Sequence, residues 1–199
     1  MDPRLFHASG LAAALLLAAC TAEQVGERQP GPAAADDAPL TSPELAAPAA
    51  NAPAPGVLLD RLAAMDEHGL ALAKQAASRP MAEAAAEFAA TLRQDHAASL
   101  EATRILQGAA RPAPAPDAEA ASMRAQHGDV LQRLAGLEDD QYQRAWVDAV
   151  VGGRTVALEQ LDNILIPGAG DDIHGHLEDR RRAYARHLEA AQRLRGASQ

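Results

Sequence analysis

The sequence predicts an all-α protein, a bundle of four long helices, and three observations carry that prediction. Strand formers are thin: aromatic side chains make up 3% of the 199 residues, and no stretch alternates convincingly with a period of two. Alanine is abundant, which suits helices that approach closely over small side chains. Apolar residues also recur at alternating spacings of three and four, the seam of a packed helix. The clearest case is 142–167, where Val147, Val151, Leu158, Leu161 and Leu165 form one stripe and Arg154 takes the slot three residues after Val151. The net charge of −9 and the lack of a basic patch interleaved with aromatics argue against a nucleic-acid partner.

The chain opens on an apolar run, Leu11–Ala19, too short to span a bilayer and of the size of a signal-peptide core, with Arg4 ahead of it. The run closes on Leu17-Ala18-Ala19-Cys20, which resembles a bacterial lipobox. Residues 1–19 are therefore expected to be a lipoprotein signal peptide and Cys20 the acylated residue. Cys20 is the single cysteine, so no intramolecular disulfide can form. Acylation would anchor the chain, each buried methylene adding about 0.8 kcal/mol of membrane affinity. Thr21, rather than Asp, follows the cysteine; by resemblance to sorted lipoproteins of Gram-negative bacteria, that implies the outer membrane, facing the periplasm. Prolines at 30, 32, 39, 43, 48, 53 and 55 and scarce bulky apolar surface make 20–56 a Pro/Ala-rich, disordered tether.

The folded domain is expected over 57–199. A first long helix, 57–77, carries Leu58, Leu62, Met65, Leu72 and Ala76 on one stripe, with Gly69 in the slot between. Ser78-Arg79-Pro80 breaks it, a capping serine followed by a proline in the first turn of a second long helix, 80–107. That helix presents Phe88, Leu92, Asp95-His96, Leu100 and Leu106. After a Pro/Ala linker at 109–117 comes a shorter amphipathic segment, 118–136, with Met123, Val130, Leu131 and Leu134 and an interruption at Gly128. It should pack outside the bundle or along a crossover. Glu138, Asp139 and Asp140 give an acidic first turn to the third long helix, which ends at Pro167. Asp171 or Asp172 can cap the fourth, which runs to about Leu194 along Ile173, Leu177, Arg180, Tyr184, His187 and Ala191. The run Arg180–Arg182, preceded by Glu178 and Asp179, reads as a solvated face. Two helical hairpins joined by a long linker give a ferritin-like four-helix bundle with one long crossover and a short extra helix.

Several polar side chains fall in or beside the predicted seams: Asp95, His96, Arg154 and His187, with Glu67 and His68 flanking the first. Counting about 1.5 Å of rise per residue from the hairpin turns brings His68, His96, Arg154 and His187 to a common height. One reading is a metal site for iron, zinc or manganese, with His96 and His187 as ligands. The other is a buried hydrogen-bonded network in which Arg154 pairs with Asp95 or Glu67. The network is favoured, because a guanidinium cannot ligate a cation and the chain has no Glu-x-x-His and no His-Glu-x-x-His. The sequence places His176 elsewhere, near Asp162, and reads Asp171–His176 as a helix start. It assigns Trp146 and Met65 to packing.

Two groups of residues carry a family resemblance. The first is Asp66-Glu67-His68 followed by Arg93-Gln94-Asp95-His96 and Leu100–Arg104; the second is Tyr142 through Leu161-Asp162-Asn163, Leu165-Ile166-Pro167, His176-Leu177 and His187–Ala191. Over about 57–195 the chain resembles the bacterial exported family called domain of unknown function 4142. The resemblance implies a ferritin-like bundle of the bacterial envelope whose biochemistry is unsettled. Relatives commonly carry a histidine eight residues before the position of Asp162, where this chain has Arg154, so His96 and His187 carry over and the third histidine does not. Together these readings lead to a non-enzymatic envelope lipoprotein with a binding, scaffold or envelope stress-related role toward a protein partner, with a metal-binding or redox bundle as the alternative.

Overall fold

The computed structural model describes residues 53–110 and 116–197. The predicted signal peptide, Cys20 and nearly all of the tether lie outside the described residues. Five α-helices follow: α1 (Pro55–Ala76), α2 (Glu83–Ala109), α3 (Ala118–Ala135), α4 (Asp139–Gln160) and α5 (Asp171–Ala197), with no strand among the described residues. A π turn, Leu161–Leu165, continues α4.

Bonds between helices give their directions. Arg61 to Asp117, Gln75 to Leu131 and Arg79 to Ala135 all span 56 residues, so α3 runs parallel to α1. Tyr142 reaches Gln75 and Trp146 reaches Leu72, so α4 runs antiparallel to α1. Thr103 to His176 and Asp95 to His187 set α5 antiparallel to α2. The long helices therefore run up, down, down, up, and α3 is the crossover that climbs back along the bundle. This is the ferritin-like order the sequence predicts.

Several boundaries differ from the sequence reading. Pro55 and Gly56, assigned to the tether, form the first turn of α1, where a proline lacks only an N–H that has no intrahelical partner. Ser78 and Pro80 do not start α2. The Ser78 hydroxyl donates back to the Gln75 carbonyl, and Ala82 is the N-cap, its N–H donating to Gln143 Oε1 of α4. Gly128 does not interrupt α3, which is continuous and is capped by Asp117, whose carboxylate accepts from the Ala120 N–H at 3.0 Å. Asp171 and Asp172 lie inside the first turn of α5 rather than at its cap, and the helix extends to Ala197. The π turn is absent from the sequence reading. The Ile166 N–H bonds the Leu161 carbonyl at 2.9 Å, just ahead of Pro167, whose ring crowds the carbonyl four residues earlier in a regular helix.

The bundle has two apolar cores. One, at the α1–α2 hairpin end, joins Leu72, Phe88, Leu92, Trp146, Val150 and Ala191 with their neighbours. The other, at the α4–α5 hairpin end, joins Leu58, Leu62, Met65, Leu161, Ile173 and Leu177. Trp146 and Met65 are core residues, as predicted. Both cores lie within one compact unit, 46–199. Between the cores the interior turns polar.

Candidate functional site

The polar layer centres on Asp66 of α1, a fully buried carboxylate. Four donors converge on it. Oδ1 accepts from His96 Nδ1 at 2.7 Å, Arg180 Nη2 at 2.7 Å and the Tyr184 hydroxyl at 2.8 Å, and Oδ2 accepts from the Ser99 hydroxyl at 2.5 Å. Burial alone would raise this carboxyl; the His96 and Arg180 contacts and the Ser99 bond outweigh it and hold it down to about 2. Because Asp66 stays ionised it can only accept, so His96 carries its proton on Nδ1. His96 Nε2 is then an acceptor, and Arg154 Nη2 donates to it at 2.8 Å. Burial, aided by the Arg154 charge, keeps this imidazole neutral down to about 3. A carboxylate, a neutral imidazole and a guanidinium thus form one chain across α1, α2 and α4.

Gly69 makes that chain geometrically feasible. A methyl on its Cα would overlap both His96 Nε2 and Arg154 Nη2. The guanidinium carbons of Arg154 and Arg180 lie 4.7 and 4.8 Å from the Tyr184 ring centroid, close enough for cation–π attraction. Tyr184 is fully buried, and burial raises its hydroxyl well above its ordinary value.

The predicted layer is assembled in part. His96, Arg154 and His187 do meet: the His96 and His187 ring centroids are 5.3 Å apart. The predicted partners of Arg154 do not form. Asp95 is half-buried and bonds His187 Nε2 at 2.8 Å, while Glu67 lies at the α1–α3 surface and pairs with Arg124 at 2.8 Å. His68 is buried, but it turns toward α3, where its ring stacks on His127 with centroids 4.0 Å apart. His176 bonds Thr103 at 2.9 Å rather than approaching Asp162, which pairs with Arg181.

Asp66, Ser99, His127, Arg180 and Tyr184 fall outside the predicted layer. Arg180 and Tyr184 had a signal, since both sit in the α5 stripe; the Arg180–Arg182 run is solvated only at Arg181 and Arg182. Asp66 had a weaker one. Helix α1 packs against α2, α3 and α4, so its apolar positions crowd most of its circumference and a carboxylate among them has nowhere to face water. His127 had none without the register between α1 and α3.

The layer has little left for a metal. His96 has both ring nitrogens bonded within the protein, and the Asp66 carboxylate holds four donors. Of the two proposed ligands only His187 keeps a nitrogen, Nδ1, without a partner. Among the described residues no three His, Cys, Asp or Glu side chains converge as a ligand set.

The other face of Arg154 is different. Between α3 and α4 lies a cavity of about 640 Å³, whose lining includes Arg154, His68, His127 and Gly153, with Gln126 and the exposed Arg133 of α3, among apolar walls. Arg154 Nε, His68 Nδ1 and His127 Nδ1 are buried and have no hydrogen-bond partner. Burial, together with the charges of His127 and Arg154, pushes His68 down to about 3. Burial also lowers Arg154 from its ordinary value, whereas Tyr184 and Asp66 outweigh burial at Arg180 and raise it.

A family model described as "Domain of unknown function (DUF4142)" matches residues 40–194, most of the chain and every long helix. No curated protein and no solved structure matches the chain.

Proposed function

For a chain that belongs to the family of domain of unknown function 4142, we propose the role of a non-enzymatic binding protein of the bacterial envelope, anchored through lipidated Cys20. The tether would hold the bundle off the membrane, on the periplasmic side of the outer membrane. The observation that carries the non-enzymatic part is the saturation of Asp66 and His96. With four donors on the carboxylate and both imidazole nitrogens engaged, the layer offers no free base, acid or ligand at its centre. Its task is to fix the register of α1, α2, α4 and α5 between two apolar cores. The anchor rests on the lipobox-like Leu17–Cys20 and the apolar run before it; no described helix is long and apolar enough to cross a membrane.

Fractionation of a Gram-negative host expressing the full chain tests the anchor. Wild type is expected in the membrane fraction and Cys20→Ala outside it; a Cys20→Ala chain that stays with the membrane sinks the lipidation reading. Elemental analysis of purified 46–199 tests the rest. Stoichiometric iron, zinc or manganese that disappears in His96→Ala would overturn the non-enzymatic reading in favour of a metal or redox bundle.

A further inference from the structure

The half-open cavity between α3 and α4 combines largely apolar walls with an interior charge that lacks its counterpart. Two guanidiniums, Arg154 and Arg180, are buried in the layer against one fully buried carboxylate, Asp66. Arg180 takes that carboxylate directly at 2.7 Å, and Arg154 bonds only a neutral imidazole. The next carboxylate, Asp95, is partly exposed and engaged with His187. Leaving a guanidinium uncompensated in an apolar interior is costly, and an anion beside it would remove that cost. Arg154 Nε and the Nδ1 atoms of His68 and His127 are three unpartnered polar atoms on side chains that line this one cavity.

The walls specify the rest of the ligand. Met65, Met123, Val130, Leu134, Val156 and Ala157 line the cavity on either side of the polar spot. Its volume lies within the roughly 300–1,000 Å³ of small-ligand pockets. The two methionines suit an irregular flexible guest, because the thioether adapts its shape to what it touches. The cavity can form here because the bonds that hold α3, from Arg61, Gln75, Arg79, Glu67 and the His68 ring, all run to the α1 side.

We propose that the α3–α4 cavity binds a single-chain fatty acid, its carboxylate against Arg154 and the His68–His127 pair and its alkyl chain along the methionine- and leucine-lined walls. One negative charge matches Arg154, the buried guanidinium of the layer that bonds no carboxylate. A planar carboxylate matches the guanidinium fork. A bulky polar headgroup does not suit a charge set between apolar walls. The proposal rests on the binding reading given above and is independent of the Cys20 anchor.

The test titrates purified 46–199 with dodecanoate, below its micelle concentration, in a calorimeter. One-to-one binding is expected. Affinity should fall at least about tenfold in Arg154→Met, since a hydrogen bond to a charged group contributes about 1.5–3 kcal/mol. A similar fall is expected when neutral dodecanol replaces the acid. Ala149→Trp fills the cavity away from the polar layer and should abolish binding even if Arg154→Met fails to fold. No binding by folded wild type sinks this proposal while leaving the anchor, tested by fractionation, untouched. Equal affinity for acid and alcohol, or binding that survives Ala149→Trp, means adsorption to the surface and sinks it too. If 46–199 is a dimer that Ala149→Trp makes monomeric, a second copy fills the cavity and the proposal fails.

Discussion

The two flanks of the polar layer use the same kinds of side chain to opposite ends. Toward α2 and α5, Asp66 gathers Ser99, His96, Arg180 and Tyr184 into a closed set in which one carboxylate serves four donors. Toward α3 and α4, His68, His127 and Arg154 are also buried or half-buried, yet each keeps a nitrogen without a partner, and a cavity opens beside them. The difference comes from the helices that supply them. The first flank is built by three long helices, α1, α2 and α5, clamped between two apolar cores; both oxygens of its buried carboxylate and both nitrogens of His96 are matched inside, and Arg180 Nε and His187 Nδ1 stay without a partner. The second is closed by α3, a shorter helix with only Ala120 and Leu134 buried. Matching there is left to whatever enters.

The largest expected effect tests whether both flanks are closed to water. His68 and His96 are held neutral to about 3 and His187 to about 4, chiefly by burial. Unfolded, each would take up a proton below about 6.5. The unfolded state therefore binds more protons, and stability falls as pH drops from about 6.5 toward those values. Each histidine contributes about 1.4 kcal/mol per pH unit. Asp66, depressed to about 2, adds a further loss only below its unfolded value of about 3.9. Urea unfolding of 46–199 at pH 7 and pH 5 should show a loss of several kcal/mol. If His68→Leu leaves that loss undiminished, the α3 flank is hydrated in solution and the two flanks differ more sharply still. A bundle equally stable at both values would break it.

Next in size is Asp66→Ala, which strips the closed flank of its fully buried carboxylate and leaves two guanidiniums buried. A loss of about 3–5 kcal/mol is expected from denaturant unfolding; a loss under about 1 kcal/mol would mean that the set does not lock the bundle. The smallest effect belongs to the open flank. His127→Leu removes a stacked ring, an unpartnered nitrogen and a contact with the Ala64 backbone, so stability should change by no more than about 1 kcal/mol in either direction. A cost matching that of Asp66→Ala would erase the distinction between the flanks.

Much of the fold was legible because long amphipathic helices declare themselves by period. The stripes through Val147–Leu165 and Ile173–Leu194 and the Pro/Ala linker at 109–117 were enough to place two hairpins and a crossover. The common height of His96, Arg154 and His187 could also be read, since rise per residue is a backbone constant. What escaped was pairing. Asp66 sits one residue before the predicted Glu67, and choosing between them needs the rotation of α1, which near-complete burial conceals. Arg180 was hidden by its neighbours Arg181 and Arg182, although its place in the stripe was the better guide. His127 required knowing that α3 lies parallel to α1. The π turn needed a backbone that no side-chain period reports.

Gly69 binds the history of three positions together. The space above its Cα is taken by the His96–Arg154 hydrogen bond, so no side chain can appear at 69 while both partners remain. Substitutions at these sites are not independent events but steps with a permitted order: a smaller residue at 96 or 154 has to come first, and only then can 69 change. Relatives in which position 154 is a histidine, shorter than arginine, should tolerate more than glycine at 69. Where an arginine stands at 154 opposite a histidine at 96, the glycine should be fixed.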